Sequence, residues 1–350
     1  MGATKFTSQK IEFLYLSQED VIAAGGLDMR GTMQAVETSF RLHASGQTIL
    51  PPKPVLRWGG PETEETTGRI MAMPAYLGGD LRVAGIKWIP SAPQNPTRYG
   101  LPRANALIIL NDPDTLMPMA VMDGTIVSAM RTGAASGVAA KYLAHPQARS
   151  LGMVGAGVQM RTQAMAMRVA LPNLKEGRIF DIIPEKAQAF AQEMSAELDF
   201  PIRAVGTAAE ACRGADVFIT ATMSTVAYVQ ADWYKPGVLH CEVSFWDTPA
   251  SALATLDRIV CDDYSHVEHH AVDVAYRAVR DGYIPRERIT NMGDIVIGKA
   301  PARENEAQTI LFNPIGLGIH DVSEAYRVYR IARERGIGRM LPLWESPHWR

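Results

Sequence analysis

The stretch Arg149-Ser-Leu-Gly-Met-Val-Gly-Ala-Gly-Val-Gln159 places the tightest constraint on how this 350-residue chain folds. Leu151–Val154 is a short apolar run of the kind that forms a buried strand. Gly155 and Gly157 break it, and apolar residues return at helical spacing from Val158 to Leu171. Strand, glycine turn and helix in that order make a phosphate cradle. Gly155 permits the tight turn, Gly157 lets a pyrophosphate approach the backbone, and free N–H groups at the helix start hold it. Met160 stands where G-x-G-x-x-G has its third glycine. A second strand is expected over Gly177–Ile183, with Asp181 about two dozen residues beyond Gly157, where the ribose-binding acid belongs. A carboxylate there accepts hydrogen bonds from an unmodified ribose and repels a 2′-phosphate, which points to NAD. The alternative is an ordinary strand–turn–helix with a surface aspartate.

The length suggests two domains, and 47% hydrophobic with 21% charged residues is enough to fill their cores. A formal net charge of −2 gives no broad attraction to nucleic acid or anionic lipid. Cys212, Cys241 and Cys261 show no metal-binding spacing and read as reduced, buried thiols of a cytoplasmic protein. No apolar run is long enough to span a membrane, and the polar stretch Met1–Glu12 lacks a signal-peptide core.

Along the chain, Phe13–Leu16 reads as a strand, after which Ser17 caps a helix. A longer helix is expected from Arg30 to Ala44, ended by Gly46. Pro51-Pro-Lys-Pro54 can be neither helix nor central strand, so Lys53 rides on a stiff extended segment. Strands are expected over Arg69–Met73, Val83–Ile89, Ala106–Leu110 and Met119–Met122, with loops at Glu62–Thr67 and Ser91–Pro102. This half predicts a mixed sheet with few helices, and one face of it should need a partner. An alanine-rich helix follows from Thr125 to Leu143. Its small residues allow close approach of another backbone or of a cofactor. His145–Ala148 is the expected boundary. Beyond it, strands at Leu151–Val154, Arg178–Ile183, Ile202–Val205, Asp216–Ala221, Gly237–Val243 and Arg258–Cys261 alternate with helices, the pattern of an α/β doubly wound parallel sheet. Single helices are expected over Ser265–Asp281 and His320–Arg335.

Four polar positions stand in apolar settings. Lys87 lies among Ile86, Trp88 and Ile89; a half-buried lysine suits proton transfer, whereas one on the solvated strand face does nothing chemical. Arg131 on the alanine-rich helix is placed to clamp a carboxylate in two-point fashion, or is a surface arginine. Lys53 is a weaker candidate for the same duty. Asp247 follows the strand ending near Val243, and ligands of such sheets bind beyond the carboxyl ends of strands. Flanked by Phe245 and Trp246, it is a candidate base; a turn aspartate before a proline is the ordinary alternative. Val158, Gln159, Thr220, Ala221 and Thr222 complete the expected cofactor contacts around Gly155, Gly157 and Asp181. His266, His269 and His270 lack the partner glutamate and further ligands of a zinc site and read as solvated helix-face histidines, so no metal is expected.

Taken together, Gly85-Ile-Lys-Trp-Ile89, Ile109-Leu-Asn-Asp-Pro-Asp114, Met130-Arg-Thr-Gly-Ala-Ala-Ser136, Val154-Gly-Ala-Gly-Val-Gln159, Asp247-Thr-Pro249 and Asp321-Val-Ser-Glu-Ala-Tyr326 resemble the ornithine cyclodeaminase/mu-crystallin family over nearly the whole chain. Tyr15-Leu16, Pro52-Lys-Pro54 with Leu56-Arg57, Ile70–Pro74, Gly79, Ala120–Met122 and the stretch from Gly298 through Arg303-Glu-Asn305 resemble its N-(2-amino-2-carboxyethyl)-L-glutamate dehydrogenase branch, whose members release 2,3-diaminopropionate. The resemblance implies a substrate-binding and dimerisation domain over 1–145, an NAD-binding Rossmann domain over 146–316, and a C-terminal helix over 317–350 that returns to the first domain. It implies an acid/base role for Lys87, carboxylate binding by Arg131 and Lys53, a cofactor-phosphate contact from Thr132, and a catalytic role for Asp247. Lys53 stands where many members carry arginine, and Pro314 where some carry a serine near the nicotinamide. The implied chemistry is hydride transfer at the α-carbon of an amino acid, an N-substituted amino acid or a cyclic imine. A cyclodeaminase making proline and ammonia from ornithine, and a non-catalytic crystallin-like ligand store, are the alternatives; ammonia formed without net NADH marks the first.

Overall fold

A computed structural model describes residues 10–59 and 66–346. The chain opens with β1 (Ile11–Leu16), α1 (Gln18–Ala23), α2 (Met29–Ala44), β2 (Thr48–Ile49), β3 (Val55–Gly59), β4 (Thr66–Leu77), β5 (Val83–Ser91), α3 (Asn95–Arg98), β6 (Leu107–Asn111), β7 (Pro118–Asp123) and α4 (Thr125–Leu143). It continues with β8 (Ser150–Val154), α5 (Val158–Ala170), β9 (Glu176–Phe180), α6 (Pro184–Leu198), β10 (Ile202–Ala204), α7 (Ala208–Cys212), β11 (Val217–Thr220), β12 (Leu239–Glu242) and β13 (Arg258–Cys261). The last elements are α8 (Tyr264–Val267), α9 (Val274–Arg280), β14 (Ile289–Asn291), α10 (Met292–Val296), β15 (Ile310–Asn313), α11 (Gly318–Arg335) and β16 (Arg339–Trp344). They form two compact units. One comprises Met1–Leu27, Gln47–Ser128 and Asp321–Arg350, the other Asp28–Gly46 and Ala129–His320.

The first unit is built on a mixed sheet in the order β16-β1-β7-β6-β5-β4-β2, with β3 also paired to β4. Its first helix begins where the sequence says it should. The Ser17 hydroxyl accepts from Asp20 N while the Asp20 carboxylate accepts from Ser17 N, a reciprocal cap worth about 1 kcal/mol. One sheet face is buried through Leu14, Leu16, Met73, Val83, Ile108, Leu110, Ala120 and Met122. Alternation leaves Leu107 and Ile109 on the other face. β2, β3 and β16 were not expected. β3 and β16 are exposed along nearly their whole length, so no alternation of apolar and polar residues betrays them. Of the loop expected at Glu62–Thr67, residues 62–65 lie outside the described residues, and Thr66–Thr67 open β4. The loop from Ser91 to Pro102 contains one helical turn, begun by Pro96.

The second unit is a parallel sheet in the order β10-β9-β8-β11-β12-β15-β13-β14. Strand order reverses on either side of β8, so this is the doubly wound arrangement, with its ligand crevice at the carboxyl ends of β8 and β11. Two expectations need correction. The strand expected to reach Ile183 ends at Phe180, because the Asp181 carboxylate accepts from Ile183 N and turns the chain out. The single helix expected over Ser265–Asp281 is two helices, each capped by its own aspartate. Asp263 accepts from Ser265 N, and Asp273 accepts from Ala275 N and Tyr276 N. A capping aspartate competes with helix continuation, which is why α9 starts afresh at Val274.

The small residues of α4 serve backbone packing. A Cβ added to Gly133 would lie 2.3 Å from the carbonyl oxygen of Thr162 on α5. Gly133→Ala should therefore cost about 1–3 kcal/mol by overpacking, read as a lower midpoint in urea denaturation. An unchanged midpoint would show that the two helices part without cost.

Candidate active site

The cradle is built in the second unit by β8 and α5. Gly155 has φ +95°, and a Cβ there would lie 2.7 Å from the carbonyl oxygen of Ala221, so the turn itself demands glycine. Gly157 is the N-cap of α5, has extended backbone and no side-chain capping bond, and its missing Cβ points into open space. The fold alone thus requires Gly155, whereas Gly157 keeps a space clear in front of a 13-residue helix whose first N–H groups point outward. The Gln159 Oε1 atom is buried there without a hydrogen-bond partner among the described residues. The cleared space at Gly157 and the outward-pointing N–H groups of the helix start, rather than this acceptor oxygen, fit a pyrophosphate. Val158, at the first helical position, is 68% exposed. Asp181 braces the turn, its Oδ2 accepting from Ala156 N at 2.8 Å.

At the carboxyl end of β12 the chain forms a tight loop around Asp247, which is fully buried. Its Oδ1 accepts from the Thr222 hydroxyl at 2.6 Å and its Oδ2 from the Ser244 hydroxyl. Its carbonyl accepts from Tyr228 N and Val229 N, both at 2.9 Å. Thr222 and Asp247 are therefore brought together. Ala221 N bonds the Val154 carbonyl, and the Thr220 hydroxyl is engaged with His240 Nε2 at 3.0 Å. Phe245 and Trp246 face other groups, with the Phe245 ring 4.6 Å from that of His270 and Arg277 3.6 Å over Trp246.

Glu242, which the sequence reading did not single out, lies beneath this loop. Its Oε1 accepts from Asp247 N at 2.8 Å and Thr248 N at 3.2 Å. Burial, and after it the charge of Asp247, pushes its carboxyl up to about 8. No spacing rule marks a single acid inside an apolar strand as a loop anchor. Asp262 does similar work two strands along the sheet, its carboxylate accepting from Ile315 N at 3.1 Å and Gly316 N at 2.6 Å. Gly316 in turn abuts Arg131, since a Cβ there would lie 2.6 Å from the guanidinium. Arg131 is 7% exposed and so is not a surface arginine. Thr132 lies next to it, and its carbonyl accepts from the Gln163 side chain at 3.2 Å. His266 is not a solvated helix-face histidine either. Both His266 and His43 bond the Asp263 carboxylate, at 3.1 and 2.9 Å.

In the first unit Lys87 is fully buried rather than half-buried. Its Nζ donates to Asp321 Oδ1 at 2.8 Å and to the Ser128 hydroxyl at 3.0 Å. The sequence isolates the lysine but not its counter-ion, which comes from α11. Lys53 precedes β3, where Val55 is opposite Met71 and Ala72 N bonds the Pro54 carbonyl. That register sets Lys53 against Met73, which is directly opposite Lys87. The two lysines thus share a row across the sheet, two strand spacings or about 10 Å apart.

Residues 15–336 match the model of the ornithine cyclodeaminase/mu-crystallin family. The chain is 33% identical to the N-((2S)-2-amino-2-carboxyethyl)-L-glutamate dehydrogenase of Staphylococcus aureus, over 95% of this chain and 99% of that protein. Among solved structures, the Thermococcus litoralis Delta(1)-pyrroline-2-carboxylate reductase, in complex with NADH and L-proline, superposes with a TM-score of 0.85 at 34% identity, covering 93% of this chain and 99% of that one. An archaeal alanine dehydrogenase dimer with bound NAD gives a TM-score of 0.84 at 34% identity, covering 95% and 100%.

The buried Glu242 carboxyl has a consequence for stability. The folded protein keeps a proton up to about pH 8 that the unfolded chain, with an ordinary value of 4.5, releases earlier. Its contribution is therefore full below pH 4.5 and lost as pH rises towards 8. Glu242→Gln keeps the acceptor and removes the titration. Between pH 5 and 8 the melting temperature of the native protein should fall relative to that of the variant. A difference that stays constant with pH would contradict the raised value.

Proposed function

The chain belongs to the ornithine cyclodeaminase/mu-crystallin family, and on that premise we infer that it is an NAD-dependent oxidoreductase acting at the carbon–nitrogen bond of an amino or imino acid. We propose, more finely, that it oxidises an N-(2-amino-2-carboxyethyl)-substituted glutamate and so forms 2,3-diaminopropionate. The cradle at Gly155 and Gly157, with a carboxylate loop at the carboxyl edge of the same parallel sheet, carries the first reading. The identity to the staphylococcal dehydrogenase over nearly both full lengths supports the second.

NAD, when bound, accepts the α-hydride of the substrate. The helix start at Val158 and Gln159 and the Thr132 region hold its phosphates, Thr220–Thr222 line its other side, and Asp181 receives the adenosine ribose. Arg131 and Lys53 bind the α-carboxylate. Lys87 shuttles a proton at the substrate nitrogen, with Asp321 as the group that keeps its ammonium inside. Asp247 takes the proton from the attacking water, whose oxygen adds to the substrate's C=N bond. Collapse of that adduct frees the amine and leaves a 2-oxo acid. Ser244 and Thr222 aim the Asp247 carboxylate. The first unit binds the substrate and makes a two-fold dimer through the sheet face bearing Tyr15, Trp88, Leu107 and Ile109, each 36–50% exposed.

Two experiments test the reading. Asp247→Asn keeps the loop's shape and removes its base, so NADH formation should fall roughly 10²–10⁴-fold while NADH binding is retained. Unaltered turnover would leave Asp247 a turn residue and end the mechanism. Gly157→Ala should fold normally yet bind NADH far more weakly, because its methyl fills the space the pyrophosphate needs. Gly155→Ala should instead lower thermal stability. Equal NADH affinity in Gly157→Ala and the native protein, by fluorescence titration, would remove the cradle assignment.

A further inference from the structure

Asp247 does not stand alone in its loop. Glu242 is one hydrogen bond away, its Oε1 accepting from Asp247 N at 2.8 Å and from Thr248 N at 3.2 Å, and both acids are fully buried. Neither carboxyl has a basic partner among the described residues. The Asp247 oxygens accept from the Thr222 and Ser244 hydroxyls, and Glu242 Oε1 from the two amides. Two buried carboxyls this close, with no cation between them, are not both sustained as anions. One proton has to stay with the pair.

The hydrogen bonds indicate which acid keeps it. Both oxygens of Asp247 accept from hydroxyls, as those of a carboxylate do. Glu242 Oε2 is buried without a partner among the described residues, and so is the Thr248 hydroxyl. That hydroxyl is close enough to act on both the Glu242 carboxyl and the Tyr234 phenol. A proton on Glu242 Oε2 gives it a donor to accept from and adds no second charge. The groups around the pair stay neutral. Tyr234 feels the charge of Glu242, Tyr228 and Cys212 feel that of Asp247, and burial pushes all three up. Opposite Glu242 on β11 is Thr220, which with Tyr234 bonds His240, and burial pushes that imidazole down. Burial, and after it the charge of Asp247, pushes Glu242 itself up to about 8.

We propose that Glu242 is a positioning residue for the reaction, keeping its proton through turnover so that Asp247 is the single buried charge of the loop and stays aimed by Ser244 and Thr222. This rests on the reading of Asp247 as the base. The pair carries one proton at rest and two once Asp247 has taken a proton from the attacking water. It returns to one when the departing amine takes that proton as the carbon–nitrogen bond breaks. Loss of the Glu242 proton at alkaline pH sets a second anion beside Asp247, and their repulsion draws the loop towards water and spoils its aim.

Glu242→Gln imitates the protonated acid at every pH. The first measurement needs no turnover: the infrared carbonyl band of protonated carboxyls, followed from about pH 5 to 9 in the NAD-loaded protein. Asp273, which burial pushes up to about 7, has a band of its own, and subtracting the spectra of the variant removes it. The difference should show one carboxyl that loses its proton near pH 8. A difference that does not change with pH overturns the proposal. Should Glu242→Gln fail to fold, Asp247→Asn removes the neighbouring charge and should lower the same midpoint by about one pH unit. An unmoved midpoint overturns the coupling. The second measurement is the pH profile of NADH formation from N-(2-amino-2-carboxyethyl)-L-glutamate. In kcat/KM the alkaline limb of Glu242→Gln should lie about one pH unit above that of the native enzyme, with the acid limb in place. An unmoved alkaline limb, or an equal loss at every pH, makes Glu242 a structural anchor only and overturns its role. If the compound is not oxidised, the proposed reaction fails, and the infrared titration alone decides the pair.

Discussion

Backbone N–H groups that leave a parallel ladder at its carboxyl edge must find another acceptor, and in the second unit carboxylates provide it. Asp181 takes Ala156 N, Glu242 takes Asp247 N and Thr248 N, and Asp262 takes Ile315 N and Gly316 N. Asp273 does the same for a helix start, taking Ala275 N and Tyr276 N of α9. Asp181, Glu242 and Asp262, at the carboxyl ends of β9, β12 and β13, each fix a loop on the side of the sheet where ligands bind. An acid used in this way cannot be replaced by an apolar residue without leaving its donors buried and unmet. Burial pushes Glu242 and Asp273 up to about 8 and about 7, so the scaffold of the site carries protons of its own near neutral pH.

The active-site candidates divide by what holds them. Asp247 is held by two hydroxyls and, through its main chain, by Glu242, all within one unit. Lys87 is held by a buried ion pair, which is costly to assemble and more costly to leave half-made. The buried pair fixes the lysine's position and keeps its ammonium in an apolar interior, where a solvated strand lysine would wander.

Much of this was legible in the sequence because periodicity and glycine chemistry are local. The β8–α5 turn, the alternation of strands and helices after it, and the capped helix at Ser17 need only near neighbours to form. Lys87 stood out because a charge interrupts an apolar strand, but its partner Asp321 is 234 residues away and no local rule pairs them. The exposed strands β3 and β16 have no buried face to impose a pattern. The break between α8 and α9 was hidden because Asp273 reads equally well as a surface residue of one continuous helix over Ser265–Asp281. Glu242 carries no such local signal, because an acid in an apolar strand announces burial and nothing of what it grips.

The same separation between Lys87 and Asp321 bears on how the polypeptide is made. The first unit takes its ion pair and its β1–β16 edge from opposite ends of the chain. On the ribosome, β1 and β5 emerge early, and at about 5–20 residues per second they wait on the order of tens of seconds for α11 and β16. During that interval the larger segment of the second unit, Ala129–His320, is synthesised and brings every strand of its own sheet. The nascent chain therefore completes its later-starting unit first. The lysine meant for the interior stays hydrated until the last helix arrives with its counter-charge.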